Sequence, residues 1–197
     1  IVGATALGAP VFLFDGAPTH PGPDRLWSMV VRHAITHLGV SPTLVRALIP
    51  SGEEPVRSHD LSSLRILAST GEPWNPDPYR WFFEEVGKAE LPIINLSGGT
   101  EVGACFLSPH PISPLEPCTL RGPALGMDVA VFRADGTEAG PGEVGELVCR
   151  RPWPSMTRGL RGDPERYLDA YWRRFPGVWC HGDWASVDGQ GSWFLHG

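Results

Sequence analysis

"LRILASTGEPWNPDPYRWFFEEVGKAELPIINLSGGTE", Leu64 to Glu101, is the stretch on which the fold turns. "LRILAST" (Leu64 to Thr70) is short, apolar and followed by turn residues, so it reads as a strand. "GEPWNP" (Gly71 to Pro76) is a turn. "PDPYRWFFEEVG" then reads as a helix, with Asn75 as N-cap, Pro76 at the first helical position and Gly87 as the stop. "LPIINLS" (Leu91 to Ser97) is a second strand. Strand, helix and strand within about thirty residues make a parallel βαβ crossover.

The same rules extend to both sides. "GAPVFLFDG" (Gly8 to Gly16) is expected as a buried strand, and "RLWSMVVRHAITHLG" (Arg25 to Gly39) as a helix capped by Asp24. "SPTLVRALI" (Ser41 to Ile49) is a second short helix, and "SGEEPVRSHDLSS" an exposed connection. After Ala104 the texture changes. Turn signals crowd together at "RADG" (Arg133 to Gly136), "AGPGEVG" (Ala139 to Gly145) and "VDGQG" (Val187 to Gly191). Between them lie the short runs "MDVAVF", "GELVCR", "GVWCHG" and "SWFLHG", the signature of antiparallel β structure curled towards a barrel. The expected architecture is α/β: a parallel-sheet portion, 1–108, then a β-rich portion, 109–197.

Composition limits the partners. The chain has 197 residues, 42% apolar and 19% charged, enough for one ordinary domain or two small subdomains with a real core. A net charge of −6 argues against a nucleic-acid backbone as partner, and no apolar run is long enough to span a bilayer. Cys105, Cys118, Cys149 and Cys180 form no C-x-x-C pair, so they read as reduced, packed thiols suited to the cytosol. Of sixteen basic residues only Lys88 is a lysine, which leaves few candidates for a catalytic or phosphate-binding amine.

In a parallel α/β sheet, ligands sit outside the carboxyl ends of the strands. The loops "TGEP" and "NLSGGTE" leave two such ends and open on one rim. Gly98 and Gly99 would let the backbone approach a ligand or turn with positive φ. Thr100 offers a hydroxyl and Glu101 a carboxylate, a pair suited to a phosphate and its Mg²⁺. The same residues also suit a plain tight turn with a solvated acid.

Four motifs in order, "SLRILASTGEPWNPDPYRWFFEEVG", "NLSGGTE", "LGMDVAVFRADGTEAGPGEVGELV" and "CHGDWASVDGQGSWFLHG", resemble the AMP-forming acyl-CoA synthetases and related adenylating enzymes. The likeness is strongest to acetyl-CoA synthetases and relatives acting on larger acids. The resemblance implies activation of a carboxylate with MgATP to an acyl-adenylate, then transfer to coenzyme A. It implies that Gly71, Glu72 and Pro73 line the adenine site, and that Asn95, Leu96, Ser97, Gly98, Gly99 and Thr100 run beneath the nucleotide. Thr100 would stand at the α-phosphate and Glu101 would hold Mg²⁺. Asp183 would accept two hydrogen bonds from the ribose hydroxyls; its alternative is an ordinary Gly-Asp turn residue.

Two departures from the family pattern matter. Acetyl-CoA synthetases carry two tryptophans where this chain has Ser97 and Gly98, and one of those walls off the acyl pocket. Their loss, with Thr70 beside them, implies an acid larger than acetate, medium-chain or branched, since each buried methylene gains about 0.8 kcal/mol. The family's phosphate loop and its mobile lysine-bearing domain also have no match here, and Lys88 is expected at the surface. The chain is therefore expected to be an internal piece of the large domain, inactive by itself. The rivals are an adenylation domain serving a carrier protein and a non-catalytic nucleotide-binding module.

Other residues are set aside. His33 and His37 have the spacing of a zinc pair but lack the Glu of H-E-x-x-H and a third ligand. His181 reads as a barrel histidine or a substrate contact. "GTEAGPGEVGE" suggests a solvated hairpin, Trp153, Trp172, Trp179 and Trp193 packing anchors, and "DPERYLDAYWRRF" a capped surface helix.

Overall fold

Three short parallel strands carry the first half of the chain: β1 (His37–Val40), β2 (Ile66–Ser69) and β3 (Ile93–Asn95), side by side in that order. The computed structural model describes residues 2–197; Ile1, at the head of the expected first subdomain, lies outside them. β1 pairs with β2 from His37 opposite Ile66, and β2 with β3 from Leu67 opposite Ile93. The connections are helical. After α1 (Val2–Ala6) and α2 (Arg25–Arg32) come α3 (Pro42–Leu48) and α4 (Glu54–Arg57) between the first two strands, and α5 (Pro76–Trp81) between the second two. α3 starts where the Ser41 hydroxyl accepts the Leu44 N–H and Pro42 fixes the first helical φ. α5 runs into a π-helical turn, Phe82–Val86, that ends at Gly87, followed by positive φ at Lys88 and Ala89. Trp27, Val30, Leu64, Leu67, Phe82 and Val86 are fully buried in the core these elements share.

The second half is antiparallel. β4 (Ser97–Gly99) and β5 (Ala104–Leu107) form a hairpin, and β6 (Val129–Phe132), β7 (Gly145–Cys149), β8 (Trp179–Val187) and β9 (Trp193–Leu195) form a four-stranded meander. α6 (Pro164–Tyr171) precedes β8, capped by the Asp163 carboxylate on the Arg166 N–H, with Arg173 bridging Glu165 and Asp169 on its surface. A second core gathers Val102, Phe106, Leu107, Leu147, Trp153, Trp179 and Trp193, with Trp172 partly buried against it. Among the described residues no helix is long and apolar enough to cross a membrane, and all four cysteines are free.

The βαβ unit and the meander match the sequence expectations; several details differ. Gly8 to Gly16 forms no strand: Phe12, Leu13 and Phe14 are exposed, because no neighbouring strand offers the N–H and C=O partners that would pull them in. The α2 helix stops at Arg32, where Ala34 turns to φ 48°, and the β-branched Ile35–Thr36 pair then leads into β1. His33 and His37 therefore sit on different elements, His33 against Phe12 and His37 on Thr36, and their helical spacing vanishes. Asp24 accepts from the Ser28 hydroxyl and not from a helix N–H, and Asn75, though placed as an N-cap, gives its oxygen to Arg46. The exposed connection contains α4 and buries Val56 and Leu61. Glu146 also lies inside, 2% exposed, where a solvated hairpin is expected.

Candidate functional site

β2 and β3 end side by side, so their loops share a rim. Gly71 takes φ 100°, a conformation few side chains tolerate, and directs the chain away from β2. The Glu72 carboxylate accepts the Thr43 N–H at 2.9 Å and the Thr43 hydroxyl at 2.7 Å, and meets the Arg46 guanidinium. Those partners, the Thr43 hydroxyl foremost, hold its pKa below the usual carboxylate range. The carboxylate is thus a strut fastening the loop to α3. Ser69, at the end of β2, buries a hydroxyl with no partner.

Glu72, Pro73, Trp74, Asn95 and Cys118 line a cleft of about 260 Å³ with Leu120, Phe194, Leu195 and His196. The buried Asn95 donates its amide to the Thr119 carbonyl at 3.2 Å. Leu96 sends its N–H to the Ser69 carbonyl, and there the expected single strand divides into β3 and β4. The paired glycines do not take positive φ. A side chain at Gly98 would run into the Ala104 carbonyl of β5, and one at Gly99 into the Glu101 carboxylate, so the glycines admit a strand and an acid. Ser97 is buried opposite Leu107, while Thr70 and Thr100 are exposed.

The Thr100–Glu101 turn is pinned from the second core. The Val102 carbonyl accepts the Trp153 indole N–H at 2.7 Å and the Ser155 hydroxyl at 2.9 Å; the Glu101 carbonyl accepts the Thr157 N–H. Across from it, β8 carries His181 and Asp183. His181 Nδ1 stands 3.6 Å from Glu101 Oε1, and Nε2 stands 3.6 Å from Asp183 Oδ2. Glu146 accepts the Gly182 N–H at 2.9 Å and pairs with Arg174, fixing the His181–Gly182 peptide between the His181 and Asp183 side chains. β9, which lends Phe194 and Leu195 to the cleft, is the hydrogen-bonded neighbour of β8.

The structure thus brings Glu72, Pro73 and Asn95 to one cleft, and Glu101 and Asp183 to opposite edges of one imidazole. It leaves Thr70 and Ser97 apart from that cleft's lining. Sequence reasoning gave no site role to Glu146, Arg46 or Trp153, and left His181 open. The only signal for His181 was its place two residues before Asp183. Among the described residues no three His, Cys, Asp or Glu side chains gather as a metal site. A single carboxylate such as Glu101, 28% exposed, fits Mg²⁺ arriving with a nucleotide, whose phosphates and waters supply the other ligands.

Comparison with known proteins points one way. The sequence profile described as AMP-binding enzyme matches residues 1–160. An acetyl-coenzyme A synthetase of Chlorobaculum tepidum is 44% identical over 198 residues, covering 100% of this chain and 30% of that protein. One from Pyrobaculum aerophilum is 41% identical, covering 97% and 29%. Among solved structures, an acetoacetyl-CoA synthetase from Streptomyces lividans superposes with a TM-score of 0.86 at 38% identity, over 96% of this chain and 30% of that one. The chain therefore spans about 30% of the length of these relatives.

Proposed function

The chain belongs to the AMP-binding enzyme family, and on that premise we propose that it is part of an acid–thiol ligase working through an acyl-adenylate. In the first half-reaction a carboxylate oxygen attacks the α-phosphorus of ATP and pyrophosphate leaves. In the second, the thiol of coenzyme A attacks the acyl carbonyl and AMP leaves. The protein contributes position and charge, with no covalent intermediate on its own side chains.

The observation that carries this reading is the placement of Glu101 and Asp183 on either side of His181, beside the cleft that holds Pro73 and Asn95. Gly71, Glu72 and Pro73 form one wall for adenine, and Asn95 and Leu96 its floor. Ser97, Gly98 and Gly99 carry the chain on to Thr100, whose hydroxyl faces the α-phosphate. Asp183 accepts the ribose hydroxyls. Glu101 holds Mg²⁺, which when bound neutralises the charge developing between the phosphates. We read the chain as two subdomains, 1–108 and 109–197; Val102, Phe106 and Leu107, at the end of the first, pack in the second core.

For the acid, the relatives by their names take acetate and acetoacetate. Small residues at 97 and 98 favour an acid larger than acetate. The backbone of β5 fills the space beside Gly98, so the gain is less than a whole indole.

The test is carboxylate-dependent ATP–pyrophosphate exchange in the full-length protein and in this chain alone, with acids from acetate upward. Exchange in the full-length protein, fastest with an acid longer than acetate and absent from the chain alone, is the expected result. Preference for acetate would remove the pocket reading and leave the ligase. No exchange with any acid would remove the ligase.

A further inference from the structure

His181 is a buried polar side chain that the reaction above leaves without a task. Its side chain is 6% exposed, Phe106 packs edge-on against the ring at 4.7 Å, and Nδ1 is buried with no hydrogen-bond partner. At 3.6 Å neither carboxylate is yet hydrogen-bonded to it, but both lie within a small adjustment of the ring edge. A buried nitrogen without a partner is costly, and the group that faces Nδ1 is the Glu101 carboxylate. Each ring nitrogen thus faces one acid, Nε2 the acid read as taking the ribose and Nδ1 the acid read as holding the cation.

Resting on the nucleotide reading above, we propose that His181 is a positioning residue that couples the two carboxylates: its Nε2 edge holds Asp183 for the ribose, and its Nδ1 edge holds Glu101 for the cation. The ring makes ribose recognition and cation binding one event. A side chain that only fills space at this position would support neither.

Three variants of the full-length protein separate these roles. His181→Phe keeps the ring's shape and its packing on Phe106. His181→Gln keeps a polar end near the place of Nε2, and His181→Asn one near the place of Nδ1. Calorimetry without metal gives the affinity for AMP, and ATP affinity with and without Mg²⁺ gives the enhancement due to the cation. Loss of a hydrogen bond to a charged group predicts that His181→Phe weakens AMP binding by about tenfold or more and cuts the Mg²⁺ enhancement by a similar factor. His181→Gln should recover the AMP affinity but not the enhancement, and His181→Asn the reverse. Wild-type values in His181→Phe, or Gln and Asn variants alike in both assays, would overturn the proposal. The Gln–Asn comparison decides even where melting shows that the Phe variant is unfolded. A wild-type protein that binds no adenine nucleotide would overturn the ligase reading itself, and this one with it.

Discussion

At Gly98 strand β5 presses so close to β4 that a methyl group on Gly98 would meet the Ala104 carbonyl and the Cys105 Cα. Backbone atoms cannot swing away as a side-chain tip can, so Gly98→Ala should cost about 1–3 kcal/mol, the usual range for overpacking. Denaturant unfolding of the full-length protein measures it, and Gly122→Ala, where an added Cβ meets nothing within 4 Å, is the control. At Glu72 the consequence is acid sensitivity. Its pKa is lowered in the folded chain by Thr43 and then Arg46, so its stabilising contribution is complete above the ordinary value of 4.5 and fades as pH falls through the lowered one. Glu72→Gln should flatten the acid limb of a stability–pH curve and loosen the Gly71–Pro73 loop.

The elements show which parts of the sequence could be read and which could not. The unit from β2 through α5 to β3 was legible because punctuation and periodicity agree along it: Asn75 and Pro76 open the helix and Gly87 closes it. The meander was legible from its turns. The run Val11 to Phe14 is as apolar as β3, yet periodicity cannot tell whether a neighbouring strand exists. Glu146 was misread because charge near a glycine-rich turn signals solvent, whereas the residue also belongs to β7, buried along its whole length. Removing it as Glu146→Ala should strand the Gly182 N–H and the Arg174 guanidinium, costing about 2 kcal/mol or more, and should weaken AMP binding through Asp183. Thermal unfolding and AMP titration read the two effects. His181 was invisible for a related reason: its meaning lies in two acids brought to it by different strands.

On the scale of the whole molecule the described residues gather into two large cores and a smaller cluster of Ala130, Val148, Phe175 and Cys180, and Tyr79 reports on the first core. Burial, with a smaller push from Cys118, raises its pKa to about 12. Its folded pKa exceeds its ordinary value of 10.0, so the stability it contributes is complete below that value and is lost as pH rises through the raised one. In an alkaline titration followed by tyrosinate absorbance, Tyr79 should ionise in a late step, which Tyr79→Phe should remove.

Trp74 belongs to the first core and Leu120 to the second, and both line the same cleft. Whatever fills that cleft rests on both cores at once, so its seat is only as firm as the packing behind each wall. A cavity opened deep in either core, far from any ligand atom, will be felt as a weaker hold on the occupant.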